Sequence, residues 1–293
     1  MRFYTLLIDE KEYPAVSFDG GQRLYTLASL GLPFADMNEV IRNISAAQME
    51  SLSSLSASVE PVEPAQYRIL APIVRPLQDV ICLGINYSAH AVESERFSAE
   101  SFGGERPYTI YFSKRVNEAP GPGAMIPSYQ GLVDSLDYEA ELGVILGRDA
   151  KNVTAEAAED YIFGYTIIND VSARNLQTRH KQWYLGKSLD GFTPMGPCIV
   201  TPDELGDAGQ LDIRCSINGE LRQNSNTRYM IQTAAGAISE LCQGMTLQAG
   251  TIIATGTPAG VGMGFTPPKF LKSGDTITCE IQGIGVLENT IGE

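Results

Sequence analysis

Asp137-Tyr-Glu-Ala-Glu-Leu-Gly-Val-Ile-Leu146 decides how this chain is read. Its apolar run, Leu142 to Leu146, reads as a strand. Side chains two apart on a strand share a face, so Glu139 and Glu141 project together while Ala140, Leu142, Val144 and Leu146 turn to the other face. Gly164-Tyr-Thr-Ile-Ile-Asn-Asp-Val171 reads as a second strand, with Asp170 at its end. Strand-borne carboxylates side by side repel one another unless a positive charge sits between them. A hard divalent cation with oxygen ligands, Mg²⁺ or Mn²⁺, is the natural partner. The competing reading is a solvated strand with its acidic residues turned to water.

Outward from this stretch, short β-branched or apolar runs recur: Ile81–Leu83, Tyr108–Phe112, Tyr165–Ile168, Ile199–Val200, Ile213–Ile217, and a hairpin pair at Thr276–Ile281 and Val286–Ile291. Asn218-Gly219 is a strong hairpin signal. Met230, Ile231, Ala234, Ile238 and Leu241 share a helical face, with Gly244 placed to end that helix. Near the start, Phe3–Ile8 and Tyr13–Phe18 read as strands, and Asp36 as the cap of a helix carrying Val40, Ile41 and Ile44. Ser51–Ser58 is serine-rich and weakly patterned. Pro61, Pro64 and Pro72 mark a linker. The expected architecture is therefore α+β and mainly β: a small N-terminal α+β unit with its linker, residues 1–73, and a larger domain, residues 74–293.

The net charge of −14 disfavours nucleic acid and anionic membranes as partners. No stretch approaches the roughly 20 apolar residues of a membrane helix. Met1 to Ile8 is too soon interrupted by Asp9 and Glu10 for a signal peptide. The five cysteines are scattered through apolar runs and form no Cys-x-x-Cys, as in reduced core residues. A cytoplasmic enzyme is the expectation.

Further residues could carry chemistry. His90 and Glu93 fall i, i+3 if Asn86–Glu93 is helical, and a carboxylate that orients an imidazole suits a general base; a solvated His/Glu pair is the plainer reading. The polar segment 93–106 fits either a mobile lid or a surface loop. Arg174 and Gln177 are three apart and could address one ligand or serve capping and packing. Lys187, among aromatic neighbours, is expected to be paired, and Lys114 invites a weaker version of that reading. Thr255-Gly-Thr-Pro-Ala-Gly-Val-Gly-Met-Gly264 lacks the ending of a phosphate loop. It could offer backbone N–H groups and the Thr257 hydroxyl to a substrate oxyanion, or be a structural turn.

Four segments in order, Leu136–Gly147, Gly164–Gln177, Gly186-Lys-Ser188 and Gly256–Gly262, resemble the fumarylacetoacetate hydrolase superfamily across about residues 75 to 293. Arg179-His-Lys-Gln182, Lys187-Ser-Leu-Asp190, Pro194-Met-Gly-Pro197 and Gly264–Leu271 are similar to a bacterial branch that includes oxaloacetate decarboxylases. The resemblance implies a mixed β-roll, a homodimer, and Mg²⁺ or Mn²⁺ held by Glu139, Glu141 and Asp170. It implies that Lys187, Arg174, Gln177 and Thr257 surround the substrate, and that His90 and Glu93 do acid–base work from a closing lid. The implied activity is C–C bond cleavage of a small 2-oxo or 1,3-dioxo acid, of the oxaloacetate decarboxylase or acylpyruvate hydrolase type. Keto–enol tautomerisation or double-bond isomerisation at the same site is the alternative, and a non-catalytic scaffold a third reading.

Overall fold

The computed structural model describes residues 1–104 and 107–293. Arg2–Ile8 (β1) and Lys11–Ser17 (β2) form an antiparallel hairpin, and Tyr25–Thr26 (β3) pairs with β2. Met37–Asn43 (α1) starts where expected, because the Asp36 carboxylate accepts the Glu39 N–H. Ala46–Ser56 (α2) occupies the stretch read as weakly patterned. A reciprocal Ser45/Gln48 capping box starts it, and among its residues Leu52 anchors it in the core. Its helicity therefore comes from its cap and from two contacts, Leu52 and the partly buried Met49, rather than from a long apolar stripe. The proline-marked linker carries Arg68–Ile69 (β4), which pairs with β1.

Val80–Gly84 (β5) leads through Asn86 into Ser88–Phe97 (α3) and Ala99–Phe102 (α4), then Ile110–Lys114 (β6). Met125–Ile126 (β7) and Leu136–Asp137 (β8) precede Ala140–Leu146 (β9), the strand of the opening stretch. Ala155–Ala158 (α5) connects it to Ile162–Asn169 (β10). Ser172–Ala173 (β11), Arg174–Arg179 (α6), Tyr184–Lys187 (α7), Met195–Val200 (β12) and Pro202–Leu205 (α8) follow. Asp212–Ile217 (β13) turns at Asn218-Gly219 into Glu220–Asn226 (β14). Both turn residues have positive φ, 52° and 80°, as a type I′ turn requires.

Ala234–Leu241 (α9) is shorter than the apolar spacing suggested. Thr233 caps it, so Met230 and Ile231 lie ahead of it: Met230 bridges to Tyr87, and the Ile231 N–H donates to Asn86 O at 2.8 Å. The helix closes on Cys242, before Gly244. Ile252–Ala254 (β15), Thr276–Ile281 (β16) and Gly285–Ile291 (β17) complete the chain.

Ten strands form the main sheet, in the order β3-β2-β1-β12-β10-β9-β15-β5-β6 with β4 on β1. A five-stranded sheet runs β14-β13-β16-β17-β7. The β15–β5 and β17–β7 pairs are parallel among antiparallel neighbours, so the sheets are mixed. The alternation read from β9 holds. Ala140, Leu142, Val144 and Leu146 share one core with Ile213, Ile277 and Leu287 of the smaller sheet. Ile145, on the face of Glu141, joins a second core with Val40, Ile41 and Leu52 from α1 and α2. Because both faces are covered, every residue of β9 is buried, and the solvated-strand reading fails.

The N-terminal strands belong to this sheet: Arg2 and Phe3 pair with Val200 and Ile199 of β12. Phe3 is fully buried, its ring centroid 5.2 Å from that of Phe163. Phe3→Ala is expected to cost about 3–5 kcal/mol, as for other buried aromatics. Because its core also holds Ile145 and Ile199, far-UV circular dichroism and catalytic activity should lose their native values at the same lowered denaturant midpoint. Separate midpoints would show that the first strands melt on their own.

Candidate metal centre

The antiparallel register of β9 and β10 sets Glu141 opposite Ile168 and Ala140 opposite Asn169. Glu139, just ahead of β9, is clamped by the end of β10. Its N–H donates to Asn169 Oδ1 at 3.0 Å, and its carbonyl accepts the Asp170 N–H at 2.8 Å. This double link brings the two acidic segments together. Glu139, Glu141 and Asp170 each offer a carboxylate oxygen, all within 4.8 Å of one another, and all three are buried.

Three cationic side chains surround the triad. Lys187 Nζ, carried on α7, donates to Glu139 Oε2 and Asp170 Oδ2, each at 2.7 Å. Lys114, at the end of β6, pairs with Asp170 and donates to Val171 O at 3.1 Å. Arg174 Nη2 lies 2.6 Å from Glu139 Oε1 and 2.9 Å from Asp137 Oδ2, while Nη1 donates to Gln177 Oε1 at 3.0 Å. Lys187 is thus paired as expected, and Lys114 sits behind Asp170. Arg174 and Gln177 point at one another and at the acidic cluster. Asp137, unassigned from sequence, is the fourth buried carboxylate.

The environment splits the carboxylates. Burial pushes Glu139 up, but Lys187 and Arg174 outweigh it and hold its carboxyl well below the usual range. Glu141 is pushed well above that range by burial and by the nearby Asp170 and Glu139, against which the Gly256 N–H at 2.8 Å is a weaker counterweight. A donor set of hard carboxylate oxygens, buried and crowded together, fits Mg²⁺ or Mn²⁺.

Glu139 and Glu141 of the triad face a small cavity. Arg174, Gln177, Lys187 and Thr257 line it with them, as do His90, Ser94, Phe102, Trp183 and Met263. His90 is on α3, where its Nδ1 is 3.1 Å from Glu93 Oε2 and its Nε2 3.4 Å from Ser94 Oγ. Both His90 and Glu93 are largely buried, so the solvated-pair reading fails. The segment read as lid or loop packs over the site: Phe97 meets Phe270 edge-on and Phe102 stacks near Trp183. Glu105 and Arg106, its last residues, lie outside the described residues.

Thr257 departs from expectation in one respect. Its hydroxyl donates to Ala140 O at 2.9 Å and accepts from Gln223 Nε2 at 2.7 Å, so its one proton is used inside the protein. The loop N–H groups likewise serve the protein's own carboxylates: Gly256 serves Glu141, Gly260 serves Glu93, and Gly262 and Met263 serve Asp137. Gln223, Asn169 and Asp137 were not assigned from sequence. Of these, only Asp137 carried a signal, standing two residues before Glu139.

Metal binding requires the Glu141 proton to leave. With the Glu141 pKa raised in the metal-free protein, Mn²⁺ affinity should fall about tenfold for each pH unit below that pKa, roughly one proton being released per ion. Isothermal titration with Mn²⁺ in buffers of different ionisation enthalpy measures this. Affinity independent of pH between 5 and 8 would show that Glu141 is already ionised. Glu141→Gln should abolish the proton release and weaken the ion.

The family model for the fumarylacetoacetate (FAA) hydrolase C-terminal domain matches residues 79–292. Among curated proteins, the chain is 45% identical over 228 residues to the oxaloacetate tautomerase YisK of Bacillus subtilis strain 168, covering 78% of this chain and 74% of that one. Among solved structures, fumarylacetoacetate hydrolase from Exiguobacterium antarcticum superposes with a TM-score of 0.83 at 35% identity, covering 100% of this chain and 99% of that one. Maleylpyruvate hydrolase from Sphingobium sp. SYK-6, in complex with manganese(II) and pyruvate, superposes at 0.78 with 26% identity, covering 100% of both chains. The buried acidic triad, the mixed sheets that align it and these matches together place the chain in the fumarylacetoacetate hydrolase family.

Proposed function

We propose that this enzyme breaks a C–C bond in a small 2-oxo or 1,3-dioxo acid, as an oxaloacetate decarboxylase or an acylpyruvate hydrolase does. The observation that carries this reading is that Glu139 and Glu141 of the acidic triad line the same cavity as His90 and Lys187. Glu139, Glu141 and Asp170 would hold the Mg²⁺ or Mn²⁺. When bound, the ion supplies Lewis-acid stabilisation of the negative charge that develops on a substrate's oxo oxygen.

The chain's own groups do the rest. Glu93 accepts a hydrogen bond from His90 Nδ1–H, which leaves Nε2 as the basic nitrogen. In decarboxylation, the C–C electron pair moves into an enolate as CO₂ departs, and Nε2, having taken a proton from solvent water, delivers it to carbon. In acylpyruvate hydrolysis, Nε2 takes a proton from water, the hydroxide adds to the distal carbonyl, and the C–C bond then breaks toward the same enolate. Lys187 and Arg174 offset the substrate's charge, and Gln177 orients it. Thr257 contributes by fixing the loop. Lys114 acts through Asp170. Phe102, Trp183 and Met263 keep bulk water out, which strengthens each of these interactions.

A second reading is supported by the similarity to the oxaloacetate tautomerase of Bacillus subtilis. His90 with Glu93 can move a proton between carbon and oxygen without breaking a C–C bond. We further propose that the enzyme works as a homodimer with residues 1–73 as an accessory unit of the 74–293 domain. Met125, Tyr229 and Ile231, more than half exposed, are apolar surface that a second copy would cover.

The test follows oxaloacetate and a series of acylpyruvates with Mn²⁺ present or removed by EDTA, recording CO₂ release and enol decay separately. C–C cleavage that EDTA abolishes is the expected result; enol decay without cleavage would establish the tautomerase. His90→Ala should lower kcat by about 10²–10⁴-fold, and Glu139→Ala with Glu141→Ala should remove activity. Activity that survives the double substitution would overturn the reading.

A further inference from the structure

Three consecutive residues at the start of the opening stretch divide their work. Glu139 enters the acidic triad. Tyr138 donates its hydroxyl to Gly260 O at 2.8 Å. Asp137 is fully buried and accepts from the N–H groups of Gly262 at 2.6 Å, Tyr138 at 2.9 Å and Met263 at 3.0 Å. Arg174 adds Nε at 2.9 Å. A buried carboxylate so completely satisfied is held rigidly. Asp137 is absent from the cavity wall, so it acts on chemistry only through what it grips.

What it grips is the turn beneath Glu93. The Gly260 N–H donates to both Glu93 oxygens, at 3.0 and 3.1 Å. Gly264 passes so close that a methyl group on it would overlap Glu93 Oε1. Gly260 itself has φ +104°, and a methyl group there would overlap Arg222 O. The turn is therefore a shaped seat: one N–H aimed at the carboxylate and one glycine leaving room for it. Glu93, so seated, meets His90 Nδ1.

We propose that Asp137 is a positioning residue for the His90–Glu93 pair: by gripping Gly262 and Met263 it holds the 260–264 turn as the seat of Glu93, and Glu93 sets the imidazole. This rests on the acid–base role given to His90 and Glu93 above. Arg174 bridges the same carboxylate to Glu139.

The test is a set of coupled substitutions in the Mn²⁺-loaded enzyme, assayed with oxaloacetate. Glu93→Gln alone should lower kcat. Asp137→Asn should lower kcat by about 10–100-fold, as loss of an outer support does, yet cost less than about twofold more when added to Glu93→Gln, because effects through one group are not additive. Gly264→Ala displaces Glu93 without touching Arg174. It should lower kcat comparably with little change in KM or Mn²⁺ affinity, and again add nothing to Glu93→Gln. In a His180→Gln background loaded with diamagnetic Mg²⁺, where His90 is the single histidine, the imidazole Cε1–H resonance should move alike in all three variants. Gly264→Ala carries the test if Asp137→Asn fails to fold. Full multiplicative losses in the Glu93→Gln background, or wild-type kcat for Gly264→Ala, would overturn the proposal. Wild-type kcat for Glu93→Gln would instead remove the acid–base reading on which it stands.

Discussion

Charge balance in a dry interior governs this molecule. Asp137, Glu139, Glu141 and Asp170 are buried together, as are Lys114, Arg174 and Lys187. Four carboxylates against three cations leave one negative charge, −4 + 3 = −1. An unpaired buried charge is costly enough that a group neutralises itself instead. Glu141, the carboxylate that the three cations serve least, is the one whose pKa burial and its acidic neighbours push up. A divalent ion turns the same sum to +1, which suits an anionic ligand. An acidic protein can thereby host an acidic substrate, because the local field is set by the ion rather than by the net charge.

The core of this arrangement was legible in the sequence because it is local. Glu139 and Glu141 share a face through strand alternation, and His90 meets Glu93 through the turn of a helix. The β9 alternation also predicted which side chains enter the core shared with the smaller sheet. What was illegible depends on partners far along the chain. Asp137 reads as one more acidic residue until Gly262 and Met263 fold onto it. The Thr257 hydroxyl looks free until Gln223 and Ala140 take it. The α9 boundary moved because Ile231 bonds to Asn86, a contact that outweighs its helical spacing.

The glycine-rich loop shows how one segment serves several groups. Its N–H groups are spent on Glu141, Glu93 and Asp137, one carboxylate from each part of the site. Preorganised donors of this kind fix side chains before substrate arrives. The aromatic contacts of Phe97 and Phe102 bring α3 and α4 onto the same platform, so that the helix carrying Glu93 and the cavity-lining Phe102 pack together.

The pairing of β1 with β12 has a consequence for how the protein is made. Arg2 and Phe3 leave the ribosome early, whereas Val200 and Ile199 emerge only after most of the polypeptide has been translated. The β1–β2 hairpin must wait, with an open edge, until its neighbour is synthesised. Long-range strand pairing of this kind is slow and exposed to off-pathway association. During biogenesis the vulnerable element is therefore the nascent amino-terminal hairpin, far from the residues that do the chemistry.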